Sequence, residues 1–328
     1  MGIESLRFIL CLWIVILHCS NIKNKHKKYL ERGFHVPTFI IISFYYYYPL
    51  IQNRIIMKII LRFQRMLIPY ILWPLLILIL NNFLTTIFSF GQFKTKLSLY
   101  DFYIQIVIGA RYHAIFWFQF NLIFLSLYLT IIAFIFKDNF LDVVKFLGIL
   151  SLYLHYSKIN LKMFSSFHRG IQISIGSLQE LKPLSIIGCI FGSINLLMNV
   201  KNIPKHLYFI LFILMHFLFI YNIFIFHPGF MYPNIILNIL ASTILFLTFG
   251  SLYLNEMMVI NSIIKYITKF TGGIYYIHSI LRIYLQKYIL FFKLKSYFSS
   301  FVIYFICYII CYIGASLFKK NRLKYLFI

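Results

Sequence analysis

The chain has 328 residues, 62% of them hydrophobic and only 12% charged, with 31 Lys and Arg against 7 Asp and Glu for a net charge of +24. So little charge cannot cover a globular surface, on which about a quarter of all residues are normally charged, and a mean hydropathy of +0.86 excludes a water-soluble fold. The positive balance would point to nucleic acid in a soluble protein. Here the basic residues sit in short clusters between apolar runs, which fits anionic lipid headgroups, or an anionic substrate or cofactor, and not nucleic acid.

Several apolar runs reach the ~20 residues that cross a bilayer as helix. The sequence predicts an all-α, polytopic transmembrane helix bundle of about ten spanning helices, near residues 4–20, 35–51, 67–90, 113–136, 140–156, 171–199, 206–226, 233–250, 271–291 and 297–318. Around the start of the sixth, Gly170, Gly176, Glu180 and Pro183 place the spanning piece at 183–199, after a re-entrant or interfacial turn. No Ser/Gly linker or soluble appendage interrupts residues 1–328, which read as a single integral-membrane domain. A cleavable signal peptide is not expected, because the first apolar segment lacks a basic n-region and a small-residue cleavage site. Myristoylation is not expected either, since Leu6 stands where Ser or Thr is needed.

The first span, E-S-L-R-F-I-L-C-L-W-I-V-I-L-H-C-S from Glu4 to Ser20, carries an arginine near its start and a histidine near its end. Arg7 and His18 are eleven residues apart, about three turns plus roughly 20°, so both project from one helix face about 16 Å apart. Glu4 precedes Arg7 by three positions and can pair with it across one turn. Ionisable groups at membrane depth are costly and by default face a bundle interior or a wet cavity. The alternative is an arginine snorkelling to the interface and a histidine capping the far end.

Further along, Phe34-His35-Val36-Pro37-Thr38-Phe39 runs on to Ile42-Ser43 and opens the second span. His35 lies near the membrane surface that His18 approaches, or simply faces headgroups. The Tyr45 to Tyr48 cluster beside Pro49 reads as an interfacial aromatic belt. Arg54, Lys58, Arg62 and Arg65 form a basic, amphipathic lead-in to Met66-Leu67-Ile68-Pro69-Tyr70. Two arginines three apart on one helical face can grip a phosphate; a positive-inside anchor is the competing reading. His113-Ala114-Ile115-Phe116-Trp117-Phe118 opens the fourth span, and Phe270-Thr271-Gly272-Gly273-Ile274-Tyr275-Tyr276-Ile277-His278 the ninth. Tyr275 and His278, three apart, share a helix face.

Asn195, His216, Asn222 and Asn238 lie within spans, where such groups bridge helices more often than they do chemistry. Cys307 and Cys311 fall one turn apart in an apolar run and read as small hydrophobes. No His/Cys/Glu grouping has metal-ligand spacing, and no Gly-rich phosphate loop or Gly-x-Ser-x-Gly turn occurs, so no metal is assigned.

Taken in order, the Glu-x-x-Arg-x10-His helix, the Val-Pro-x-Phe run, Arg-x-x-Arg before Pro-Tyr, His-x-x-x-Trp-Phe and the Ile-Tyr-x-x-His stretch resemble acyltransferase family 3 over nearly the whole chain. Phe44 stands where that family generally has glycine, which removes the close helix approach a glycine permits. The resemblance implies an integral-membrane acyltransferase, an O-acetyltransferase of cell-surface carbohydrates. Acetyl-CoA is then the acyl donor and a glycan or lipid-linked glycan the acceptor, at the plasma (inner) membrane. Acyl transfer to a hydroxyl needs a base and stabilisation of the oxyanion. His18 suits the base, Arg7 oriented by Glu4 a positioning or donor-holding role, and Arg62 with Arg65 the phosphates of CoA. His35, Trp117, Tyr275 and His278 are further candidates.

Lys and Arg counts on the two sides of the membrane nearly balance. The resemblance decides for both termini inside, with the basic cluster Lys319, Lys320, Arg322 and Lys324 in support. The reading from another class is a transporter or flippase for a lipid-linked glycan, which intramembrane Arg, His and Asn also suit. It would show matching broken segments in its two halves, and these are not seen.

Overall fold

A computed structural model describes residues 2–19, 35–88, 99–108, 116–156, 235–251, 258–288 and 297–328, with isolated positions at 187 and between 204 and 217. All regular structure among the described residues is helical. The α-helices are α1 (Gly2–Cys19), α2 (His35–Gln52), α3 (Ile56–Phe88), α4 (Leu99–Ile108), α5 (Phe116–Phe136), α6 (Phe140–Tyr156), α7 (Ile235–Ser251), α8 (Met258–Thr268), α9 (Thr271–Tyr288) and α10 (Tyr297–Leu317). Short 3-10 turns follow α5 at Lys137–Asn139 and α10 at Arg322–Leu326.

Three helical stretches among the described residues are long and apolar enough to cross a membrane: Ile56–Leu80, Phe118–Ser151 and Phe298–Leu317. The second contains the expected boundary between two spans. Its ladder is interrupted at Lys137–Asn139, where Lys137 takes a left-handed φ of 45°. Helices also stand where the first, second, eighth and ninth spans are expected, while 171–199 apart from residue 187 and most of 206–226 lie outside the described residues. The short helices α4 and α8 were not expected. Helix α3 begins eleven residues before the expected span and runs unbroken for 33 residues through Pro69 and Pro74. Each proline removes one ladder donor, which a membrane helix tolerates where neighbours supply polar partners.

The chain divides into two compact units, Met1–Leu10 with Asn24–Ile59 and Leu125–Lys265, and Cys11–Lys23 with Ile60–Phe124 and Tyr266–Ile328. In the first, α2 packs on α7 and Tyr45 meets Phe246 edge-on with ring centroids 5.1 Å apart. Tyr47 is fully buried and donates to Thr130 Oγ1 at 2.5 Å, since the Thr130 proton goes to the Ser126 carbonyl at 2.6 Å. The tyrosine cluster is therefore not one interfacial belt, because an inward hydroxyl must be satisfied inside the bundle. Phe44 is buried too, so ring packing replaces backbone approach at that point.

In the second unit α9 packs on α10, and Tyr70, Ile77, Phe116, Tyr276 and Ile280 form a core that Trp73 and Tyr275 flank. The Tyr276 ring stacks on Phe116 at 5.7 Å and on Trp73 at 6.5 Å. In lipid there is little hydrophobic drive between helices, so such packing and internal hydrogen bonds hold the bundle. Residues 321–328 are tied to it. Asn321 accepts from the Leu323 N–H at 3.1 Å, and the Trp73 indole donates to the Leu326 carbonyl at 3.1 Å. Gly272 and Gly273 permit this approach: a Cβ there would meet the Ile328 and Phe327 carbonyl oxygens at 2.7 and 2.6 Å.

Candidate active site

Helix α9 opens where Phe270 ends the previous turn, and its glycine pair lets residues 321–328 lie close. One turn further on, Ile274 presents its carbonyl to His278 Nδ1 at 3.0 Å. A carbonyl only accepts, so Nδ1 carries the proton and Nε2 keeps its lone pair. His278 is fully buried, and its Nε2 has no hydrogen-bond partner among the described residues. Such an atom is costly to leave unmatched unless a functional partner uses it.

Facing it is His18, from the last turn of α1, half-buried, with ring centroids 5.4 Å apart and planes at 41°. The end of α1 is held here by packing of Leu17 and Cys19, both buried, and by a Cys11 Sγ to Thr271 carbonyl contact at 3.9 Å. Tyr275 lies 6.0 Å from His278 and 5.7 Å from Phe118, closing one side with rings. The structure thus brings together His18, Tyr275 and His278, which the sequence placed on two distant motifs.

Arg62 and Arg65 belong to the same unit, on the early turns of α3. At ~1.5 Å per residue this 33-residue helix is roughly 50 Å long, more than the ~30 Å hydrocarbon core, so part of it must protrude. The arginine-bearing end is the costly one to submerge. Arg62 is half-buried and Arg65 exposed. The Arg65 guanidinium sits over the Tyr325 ring, 5.4 Å from its centroid, and Lys324 Nζ lies 5.5 Å from the same ring. Sequence reading missed Tyr325, whose only signal was an aromatic inside a basic cluster taken for an orientation anchor.

Glu4 and Arg7 pair as their spacing predicts, at 3.0 Å between Arg7 Nη1 and Glu4 Oε2, both partly exposed in the first unit. His35 opens α2 in that unit as well. Trp117 lies in the first turn of α5 in the second unit, while His113 lies outside the described residues.

Three helical stretches long and apolar enough to cross a membrane, together with a buried imidazole facing a half-buried one, define a helical membrane protein with a candidate proton-transfer site. The chain belongs to the acyltransferase 3 family, whose acyltransferase domain matches residues 2–320. No curated protein and no solved structure matches it. Membership makes the protein a membrane acyltransferase.

Proposed function

We propose that this acyltransferase moves acetyl from acetyl-CoA to a hydroxyl of a cell-surface or secreted polysaccharide, at the plasma membrane, through a bundle of about ten spans. The observation that carries the reading is the pairing of His18 with His278, whose Nε2 is a buried, bare acceptor. An attacking hydroxyl must shed its proton as its oxygen bonds to the thioester carbonyl carbon. His18, the half-buried and more accessible ring, takes that proton, and His278 holds the His18 ring or shares its charge. The C–S bond then breaks, and the CoA sulfur leaves with the proton that His18 returns.

Arg62 and Arg65 suit the phosphates of the donor, because paired guanidinium forks match phosphate oxygens bidentately. Arg7, paired with Glu4, keeps the role its spacing on α1 gives it, holding the acyl donor or setting the position of His18 indirectly.

Membranes containing the protein, incubated with radiolabelled acetyl-CoA and the host glycan, test the reading. Label should appear in the glycan and depend on His18. A carrier of lipid-linked glycan would move the acceptor without transferring label, and that result overturns it.

A further inference from the structure

A second polar site lies in the first unit, where α2 turns into α3 and α5 turns into α6. A cavity of about 190 Å³ opens between these turns, lined by Tyr48, Gln52, Arg54, Lys137 and Asp138 over a floor that includes Ala133 and Leu141. Arg54 and Lys137 adopt left-handed φ values of 50° and 45°, and among the described residues they are the only non-glycines to do so. That region is costly for L side chains, and glycine would occupy it freely. Strain of this kind persists only where the surrounding structure over-determines it, and it clusters at active sites, ligand clamps and switch regions.

What the side chains share is a cavity without partners. Neither Arg54 nor Lys137 has a carboxylate within ion-pair distance among the described residues, where the pairs are Glu4 with Arg7 and Asp142 with Lys145. Tyr48 has a buried hydroxyl with no hydrogen-bond partner among the described residues. Two cations, a spare hydroxyl donor and the Gln52 amide form a set that receives an oxyanion. The Asp138 carboxylate in the same cavity leaves a balance of one positive charge, which matches the single charge of a phosphodiester better than the two of a terminal phosphate.

The surroundings say which phosphodiester. Ile56 and Met57 beside Arg54, and Ile135 and Phe136 beside Lys137, are exposed large apolar side chains. Cations at helix ends flanked by outward apolar groups match a lipid, with its headgroup in the cavity and its acyl chains along the helices. We propose that this cavity binds the phosphodiester headgroup of a membrane phospholipid, with Arg54 and Lys137 on the phosphate oxygens and Tyr48 donating a hydrogen bond.

The test uses the full chain purified in dodecyl maltoside and thermal shift as the readout, because a ligand bound only by the folded state raises Tm with its concentration. The probes are dihexanoylphosphatidylglycerol, dihexanoylglycerol with the same chains and no phosphate, and inorganic phosphate. Only the phospholipid should stabilise wild type at matched concentration. Arg54→Gly and Lys137→Gly should each weaken its binding about 10-fold, as expected for loss of one charge-assisted contact. They should leave the unliganded Tm unchanged or raised, since glycine relieves the left-handed backbone. That opposite pair of effects is one a merely structural side chain would not give. An equal shift with dihexanoylglycerol overturns the proposal, as does undiminished phospholipid binding in both glycine variants. An equal shift with inorganic phosphate overturns the lipid assignment in favour of a free anion.

Discussion

The imidazoles of His18 and His278 face each other with ring centroids 5.4 Å apart, although they come from opposite ends of the chain. The backbone carbonyl of Ile274 takes the Nδ1 proton of His278, so the nitrogen left bare is Nε2, at full burial. A proton delivered to His18 therefore arrives beside a second base whose tautomer is already set. The predictions below separate what each ring does.

His18→Ala is expected to insert and fold normally, since a half-buried imidazole contributes little to bundle packing, and to lower glycan acetylation by roughly 10²–10⁴-fold. His18→Gln keeps size and a hydrogen bond but takes up no proton at neutral pH, so it should be almost as poor. Activity should also fall toward acid pH in wild type, as the base is protonated before it meets the hydroxyl. The residual rate of His18→Ala should show no such limb. His35→Ala, which removes the competing imidazole at the opening of α2, should be the milder change. Near-wild-type transfer by His18→Gln would sink the assignment and move the base to His278 or His35.

If the two rings act as a unit, their losses do not add. His278→Ala should cost less than His18→Ala, and the double variant should be no slower than His18→Ala alone. The measurement is a double-mutant cycle on kcat at saturating donor, with membrane levels of all four proteins matched. Additive losses would mean that His278 serves the fold or a separate step, not the His18 proton.

Several candidate residues could be read from the chain, and the reasons differ by residue. Arg7, His18 and Glu4 announce themselves because charge in an apolar run is expensive, and the Glu4–Arg7 pair follows from helical spacing alone. That His278 meets His18 is tertiary, since periodicity orders residues on one helix and says nothing about which helix lies opposite. Tyr47 misled for a related reason: an aromatic run looks like a belt until Thr130 supplies its hydroxyl with an interior partner. Arg54 and Lys137 gave no signal as a site, because their left-handed backbone is visible only in the fold.

Arg62→Ala and Arg65→Ala should raise the KM for acetyl-CoA with kcat little changed, because binding of remote phosphates is the same in ground and transition states. Lysine at either position should rescue only in part, as an ammonium lacks the planar fork. The Tyr325 ring lies under the Arg65 guanidinium, so Tyr325→Leu should raise the same KM about 2–5-fold, the worth of an exposed cation–π contact, and Tyr325→Phe should not. Steady-state kinetics with acetyl-CoA and with S-acetylpantetheine, which has no phosphates, check this. Unchanged donor KM in both arginine variants would reduce the cluster to an orientation signal.

The last prediction concerns Gly273. A Cβ there would meet Cys311 Sγ at 2.6 Å and the Phe327 carbonyl oxygen at 2.6 Å. The sulfur belongs to a buried side chain of α10, and the oxygen to a backbone that the Trp73–Leu326 hydrogen bond and the Phe318–Phe327 ring stack hold in place. Neither yields easily, so Gly273→Ala should destabilise by about 1–3 kcal/mol through overpacking, more than the ~1 kcal/mol that alanine returns in helix propensity. Gly148→Ala is the control, for among the described residues its Cβ would meet only the Ile187 Cγ2 methyl, at 3.1 Å. That change should be near neutral. Removing one of the two obstacles, in Gly273→Ala with Cys311→Ala, should recover part of the loss and not all of it, because the carbonyl oxygen stays. Denaturant midpoints in detergent for the four proteins make the comparison. Gly273→Ala as stable as wild type would show that residues 321–328 lift away from α9 at little cost, and Arg65 would then lose the support Tyr325 gives it.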